Sequence, residues 1–402
     1  MQASLVRNAL VLGLLTAIGP FAIDMYLPAL PAIGRTLGAE PQLVVATLTA
    51  FFIPFGLFQV VFGALSDIFG RKAPLYFGLA LFLVASIGSA LATDIYMLIA
   101  WRALQGVGAA AGIVIPGAVV RDLHTGLEAT KLLSLLMLVF GICPILAPSV
   151  GSILIGLWDW RAVFWFIALS ALVGLVLVAT LMKETRSPAA RAKSSVSSSI
   201  KAFRSLLLDR HFMALALTGG FALAGLFVYL GASSFVLIDH YGLSPLAYSI
   251  AFSANAAGLF GSAQLNGWLG KRFPLVRIVQ FAATAHVVVM ATLFVLVLMG
   301  VERLEVILIL LFVGYAFVGQ IMPITTVLAM HDHGTIAGAA YSLLGTLRMI
   351  IGGAAIAISG YFADGTARPM IAGIAFCAVM TFVLCRLTLH GARHAAGTAP
   401  AE

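Results

Sequence analysis

Runs of about twenty apolar residues, the length a helix needs to cross the hydrocarbon core of a bilayer, recur about twelve times along this chain. They fall near 8–34, 42–66, 75–92, 96–119, 132–156, 162–182, 211–238, 246–269, 278–299, 306–330, 336–361 and 369–385. Only 9% of the 402 residues are charged and 62% are hydrophobic, whereas a water-soluble domain carries about 25% charged residues. No soluble core could hide that much apolar surface. The solvent for most of the chain is therefore lipid, and the expected fold is an all-α membrane protein of twelve transmembrane helices.

The first run, preceded by Arg7, mimics a secretory leader, but it exceeds twenty residues, holds Asp24 and lacks a small-x-small cleavage site. It is read as a span. Cys143, Cys377 and Cys385 lie inside apolar runs without CxxC spacing or clustered histidines, so they are expected to be buried thiols, with no disulfide framework or metal site. The net charge of +8 comes from Lys and Arg at the ends of apolar runs rather than on one face. That pattern orients helices in a membrane and does not bind nucleic acid.

One long polar stretch, 183–210, interrupts the series. Seven basic residues and a Ser-rich patch from Ser194 to Ser199 make it read as a linker. The expected organisation is a six-helix half over 1–182, a cytoplasmic linker over 183–210, and a second six-helix half with a short cytoplasmic tail over 211–402. With both termini inside, seventeen Lys and Arg fall in cytoplasmic segments and four outside (Arg35, Arg161, Arg303, Arg368). Arg102 and Arg348 lie within spans, completing the 23. That bias predicts a multi-pass protein with cytoplasmic termini and supports an even span count. The loop Gly63-Ala-Leu-Ser-Asp67-Ile-Phe-Gly70-Arg71-Lys72 is echoed by Ala263-Gln-Leu-Asn-Gly267-Trp-Leu-Gly270-Lys271-Arg272. Two parallel halves related by a pseudo-two-fold axis would produce such an echo.

Asp24, Arg102 and Arg348 are the charged residues deep inside the spans. Each costs roughly 2.5–3.5 kcal/mol at a helix centre on insertion scales, which marks it as a functional candidate. A fixed ion pair tying two helices together is the plain alternative. Asp24 lies some ten residues before the outer end of its span and Arg102 about six after the outer start of its own. At about 1.5 Å per residue the two share a depth and are expected to meet across a central cavity. A carboxyl near a guanidinium can gain a proton in one conformation and lose it in another, the property a proton-coupled carrier needs. Arg348 either lines the cavity or is neutralised by backbone carbonyls and water. In the cavity it would disfavour monovalent organic cations.

Pro20, Pro28 and Pro31 break the helix around Asp24, and at helical spacing Phe21, Leu27, Pro28 and Pro31 share its face. The fourth span reads Arg102-Ala-Leu-Gln105-Gly106-Val-Gly108-Ala-Ala-Ala-Gly112, small residues that permit close helix approach. Packing accounts for the Gly and Ala but not for Arg102 and Gln105. The fifth span holds Gly141, Pro144, Ala147, Pro148 and Gly151, a bent helix built for contact. Aromatics including Tyr341 are weaker lining candidates. Asn255, Gln264, His286 and Gln320 are expected to make interhelical hydrogen bonds, and His331 and His333 to be solvated.

These residues together resemble a family. The Gly63–Lys72 loop resembles the signature loop of the major facilitator superfamily, and Arg102-x-x-Gln105-Gly106-x-Gly108 its fourth-helix motif. Ala147-Pro148-x-x-Gly151 is similar to the antiporter motif of the fifth helix, with Ala147 and Ser152 where glycines are usual. Asp24-Met-Tyr-Leu-Pro28-Ala-Leu-Pro31 is similar to twelve-span drug:H⁺ antiporters, nearest the bicyclomycin, chloramphenicol and florfenicol resistance branch. The resemblance implies efflux of small hydrophobic drugs in exchange for protons, by a monomer in a bacterial inner membrane, with no cofactor beyond the gradient. It assigns coupling and substrate contact to Asp24 and Arg102; the reading of the spans adds Gln105, Phe21, Pro28, Arg348 and Tyr341 as candidate substrate contacts, although the branch usually has a neutral amide where Arg348 stands. Gly63, Asp67, Gly70 and Arg71, with Arg121, would form a cytoplasmic gate, and Pro144, Pro148 and Gly151 the antiporter helix. Gly267, standing where the second loop would need an acid, implies a degenerate second gate. The alternative within transport is a proton-coupled exporter or symporter of a small metabolite. An integral membrane enzyme finds no support, because neither GxSxG nor HExxH occurs.

Overall fold

The first span of the computed structural model runs as a helix over Gln2–Asp24, breaks, and continues through a 3₁₀ turn at Leu27–Ala29 into Leu30–Leu37. The second to sixth spans are Pro41–Phe69, Lys72–Ala90, Ile95–Leu123, Gly126–Leu157 and Arg161–Leu181. The seventh, Arg210–Ser234, continues as a π-turn over Phe235–His240; the eighth is Pro245–Ala263 and the ninth Leu275–Leu298. The tenth to twelfth are Leu304–Met330, Ala337–Tyr361 and Ala367–Leu389. The structure describes residues 2–124, 126–188, 191 and 196–389. Lys193, Ser194, Ser195 and Arg393, which entered the readings of the linker and of the charge bias, lie outside them.

Eleven of these helices are long and apolar enough to cross a bilayer. The eighth falls short because Ser249, Ser253 and Asn255 dilute its apolar surface. All three are bonded to neighbouring spans, so the helix is satisfied by protein rather than by lipid. Side chains such as Phe77, Phe281 and Leu387 stay exposed on the outside of the bundle, as lipid as solvent requires. Cys143, Cys377 and Cys385 are free and buried.

The packing repeats with a shift of six helices. In the first half the second span packs on the fourth, the third on the fourth and sixth, and the first on the fourth, fifth and sixth. In the second half the eighth packs on the tenth, the ninth on the tenth and twelfth, and the seventh on the tenth, eleventh and twelfth. The halves meet along two seams, second against eleventh and fifth against eighth. Each seam is the image of the other under the same shift, as a pseudo-two-fold axis requires.

An even number of spans puts both described chain ends at one end of the bundle. At the far end Arg35 Nη1 bridges the halves to Asp239 Oδ1 at 3.1 Å, and Gln42 Nε2 donates to the Ala363 carbonyl at 3.1 Å. The polar 183–210 stretch is more than a linker. Val196–Leu208 forms a thirteen-residue helix with Leu206 buried, resting on the seventh and eleventh spans. Composition hid it, because its Ser and Lys content outweighs a short amphipathic pattern.

Candidate functional site

The break in the first span places Asp24. Tyr26 N bonds Ile23 O at 3.3 Å in a tighter turn, so the carbonyl of Ala22 loses its usual donor four residues on. Pro28 has no N–H to offer the carbonyl of Asp24. The helix therefore ends inside the bundle with Asp24 as its last residue. Asp24 is 5% exposed and has neither a hydrogen bond nor an ion pair among the described residues. Cys143 of the fifth span and Tyr248 of the eighth lie within range of its charge. Gly151 of the fifth span abuts the backbone of Met25, so a Cβ there would overlap the turn. The break invalidates helical spacing beyond Asp24: Leu27, Pro28 and Pro31 are buried, and Phe21 alone of that set is partly open.

Arg102 does not meet Asp24. Its Nη1 donates to the freed Ala22 carbonyl at 3.2 Å and to Gln105 Oε1 at 2.5 Å. Gln105 Nε2 passes the chain on to Ser86 Oγ at 2.8 Å. The guanidinium stands 4.5 Å from the Tyr26 ring centroid, 4.4 Å from Phe51 and 5.9 Å from Phe164. Arg102 and Gln105 are both fully buried. The expected cavity pair is instead a sealed aromatic box in which the arginine repairs the helix break, with Nε and Nη2 covered by π-faces rather than acceptors. Gly106 and Gly108 let the fourth span touch the backbones of Phe51 and Gly78, and Gly112 brings it to Leu15.

Arg348 is half-buried midway along the eleventh span. Its Nη2 donates to Thr326 Oγ1 at 2.6 Å and more weakly to the Met322 carbonyl at 3.5 Å, and its Nε is buried without a partner. Tyr341, two turns away, is exposed at the terminal end of the same helix.

The signature loop builds a compact charged network at the terminal end. Arg71 Nε and Nη2 form a fork on Asp122 at 2.7 and 3.2 Å, while Nη1 reaches Asp67 and Ser66, both at 2.8 Å. Glu184, arriving from the polar stretch, accepts the backbone N–H groups of Arg71 and Lys72 at 2.9 and 3.1 Å, capping the third span as an anion should. Partial burial alone would raise the Glu184 carboxyl, but these amides, with that of Arg186 and the Arg191 guanidinium, hold it below the ordinary glutamate value. Gly70 has φ +93°, and a Cβ there would run into Glu184 and Arg191. Gly63 brings the second span within reach of Val114 on the fourth. Arg121 makes no hydrogen bond or ion pair with this network among the described residues, although it lies within range of the charges of Arg71, Asp122 and Asp67. It is exposed, and its neighbour Asp122 closes the cluster, together with Arg186 at 3.6 Å from Asp67. Sequence reasoning missed Asp122, Glu184 and Arg186. Asp122, directly after an arginine near the helix end, was the legible signal.

The fifth–eighth seam is stitched by hydroxyls. Ser249 Oγ approaches Ser152 Oγ at 2.6 Å and donates toward Pro148 O at 2.9 Å, and Ser253 Oγ bonds Ile145 O at 2.6 Å. Pro144 and Pro148 bend the fifth span along this seam. In the second half Asn255 Nδ2 donates to Tyr229 OH at 3.1 Å, Tyr229 stacks on Phe252 at 5.7 Å, and His286 Nδ1 lies 3.0 Å from Gly314 O. His333 is not solvated. It docks on Asp209 at 3.3 Å and edge-on to Phe212.

Comparison with known proteins places this geometry. The family model for the Major Facilitator Superfamily matches residues 12–357. An "Uncharacterized MFS-type transporter YdgK" of Bacillus subtilis is 35% identical over 90% of this chain and 90% of its own length. The "Bicyclomycin resistance protein homolog" of Haemophilus influenzae is 27% identical over 92% and 93%. The "Multidrug resistance protein D" of Escherichia coli is 27% identical over 96% of each chain. A solved D-xylose–proton symporter superposes with a TM-score of 0.74 at 15% identity, covering 95% of this chain and 97% of its own, a likeness of fold.

Proposed function

Because the chain belongs to the major facilitator superfamily, we propose that this multi-pass membrane transporter exports small hydrophobic drugs in exchange for protons by alternating access. One observation carries the reading: Asp24, the single acid deep in the spans, is buried without a partner at a helix break where the first, fifth and eighth spans converge. An unpaired carboxyl at such a junction is free to take up a proton on one side and release it on the other as water access changes. One proton crossing 100 mV supplies roughly 2.3 kcal/mol, enough to bias a binding equilibrium substantially. The relatives named for bicyclomycin and multidrug resistance support a drug as cargo. The Lys and Arg bias supports termini in the cytoplasm of a bacterial cell and residence in its inner membrane. In this reading Arg102 and Gln105 act by holding the break in shape, and the Asp67–Arg71–Asp122 cluster steadies the terminal end of the first half between states.

The test is drug-susceptibility profiling of cells expressing the chain, followed by flux in vesicles with and without a proton gradient. Wild type should lower susceptibility to chloramphenicol or a similar drug and move it only when the gradient is present. Asp24→Asn should insert normally and lose gradient-driven flux. Full proton-coupled transport by Asp24→Asn would remove the assignment, and gradient-driven movement of a sugar or amino acid but no drug would replace the cargo.

A further inference from the structure

The two arginines inside the spans have opposite surroundings, and the difference assigns a task to the second. Arg102 is closed on all sides: three aromatic faces cover it, two acceptors take its Nη1, and none of its surface is open. Arg348 has no aromatic ring over it among the described residues, and no carboxylate pairs with it. Its partners among the described residues are neutral and serve a single nitrogen, while Nε has no acceptor at all. A guanidinium has five N–H donors, and leaving buried ones unmet costs roughly 1–3 kcal/mol each, more when the group is charged. A charged group left in that state within a membrane helix is a functional candidate by default.

The neighbours are small and uncharged. Gly219 on the seventh span lets Arg348 and Thr325 pack directly against its backbone; a Cβ there would lie 3.3 Å from Nη2 and 2.8 Å from Thr325 Oγ1. The Thr325 and Thr326 hydroxyls stand beside it on the tenth span, next to the bend at Pro323. The half-buried arginine thus sits where three spans of the second half meet, with small and hydroxylic neighbours and no competing anion among the described residues.

We propose that Arg348, held by Thr326 and packed on the bare backbone of Gly219, is a recognition site for an anionic oxygen group on the transported molecule, a carboxylate being the simplest form. The inference rests on the transport reading above and narrows its cargo. A carboxylate would satisfy Nε and a terminal nitrogen together, in the planar fork that Arg offers and Lys does not. A permanent cation would be repelled, and a neutral drug carrying strong acceptor oxygens would bind between the two extremes.

The experiment is equilibrium binding to the purified protein in detergent, which needs no gradient, with three probes: nalidixate as carboxylate, chloramphenicol as neutral drug and ethidium as cation. Wild type should bind nalidixate best and ethidium worst. Arg348→Gln should weaken nalidixate at least tenfold, change chloramphenicol less than threefold and strengthen ethidium. Arg348→Lys should recover only part of the nalidixate affinity. Should Arg348→Gln not yield folded protein, Thr326→Val removes the hydroxyl that holds the guanidinium and should weaken nalidixate several-fold while sparing chloramphenicol. Nalidixate affinity unchanged in these variants, or ethidium bound best by wild type, overturns the proposal. Failure of proton exchange in vesicles with this binding pattern intact would instead count against antiport alone.

Discussion

The halves share a packing plan but not a way of handling polarity. In the first half the polar interior is organised by charge: Arg102 is boxed by Tyr26, Phe51 and Phe164, and at the terminal end Arg71, Asp67, Asp122 and Glu184 interlock. In the second half the corresponding interior is neutral, with Tyr229, Phe252, Tyr315 and Asn255 exchanging ring contacts and one hydrogen bond. Its repeat of the signature loop holds Arg272 over Trp268 at 4.1 Å and makes long Asn266 Nδ2 bonds to the Gly319 and Gln320 carbonyls at 3.5 and 3.4 Å, with no ion pair among the described residues, and nothing crowds Gly267. Charge-assisted contacts in a dry setting are strong and directional, so the first half is the stiffer body. The second half, held by weaker bonds, keeps its charge half-open at Arg348. One half is braced and the other is left adaptable.

Removing the box should do most to erase that difference. Arg102→Ala would leave a void among three aromatic rings and strip the donor from Ala22, a loss of about 3–5 kcal/mol. Thermal unfolding in detergent should show a large drop in midpoint, and Arg102→Lys should not restore it, since a point charge cannot serve Ala22 and Gln105 while lying flat on the rings. Gly70→Ala comes next. A φ of +93° with extended ψ is a conformation that glycine alone adopts readily, and the added Cβ displaces Glu184, so about 2 kcal/mol is expected. The readout is faster trypsin cleavage within the 183–210 stretch.

Glu184→Gln should act in the same direction with about 1 kcal/mol, because the amide keeps one acceptor but loses the charge at the helix start. The pH dependence has a definite sign. A carboxyl held below its ordinary value of 4.5 contributes its docking energy above that pH and loses it as pH falls through the depressed value. Protease protection of wild type should therefore fade only in acid, and Glu184→Gln should show no such fading. Tyr229→Phe should be the mildest change. It removes one neutral hydrogen bond to Asn255 at about 1 kcal/mol and should leave transport close to wild type. If Tyr229→Phe destabilised as much as Arg102→Ala, the contrast between the halves would fail.

The spans and the two-half plan were readable because bilayer thickness imposes one length on every helix, and because Arg71 and Gly70 recur in step with Lys271 and Gly270. The charged residues inside the spans were readable as exceptions to an apolar rule. Their partners were not. The pairing of Arg102 with Asp24 followed from equal depth, but depth along an axis does not say which way a side chain turns, and the carbonyl freed at Ala22 competed for it. Arg121 and Asp122 are adjacent, so register alone decided which faces Arg71. Glu184 joins a loop more than a hundred residues away through backbone amides, which leave no mark in a sequence. The helix at Val196–Leu208 was masked because a short amphipathic segment rich in serine reads as a linker.

The serine stitches between the fifth and eighth spans bear on how fast such a molecule can turn over. Ser249 Oγ already lies 3.0 Å from the carbonyl of Pro245, one turn back on its own helix, as well as touching the facing span. If the seam parts in the proposed alternating-access cycle, the Ser249 hydroxyl can rotate onto that home acceptor, so that it is not stranded in hydrocarbon. Separation of this seam thus runs nearly level in hydrogen-bond enthalpy, and the friction opposing it comes from apolar contacts such as Gly141 against Phe260. A hydroxyl-lined seam behaves as a lubricated bearing: it fixes register at rest and adds little to the activation enthalpy of the stroke.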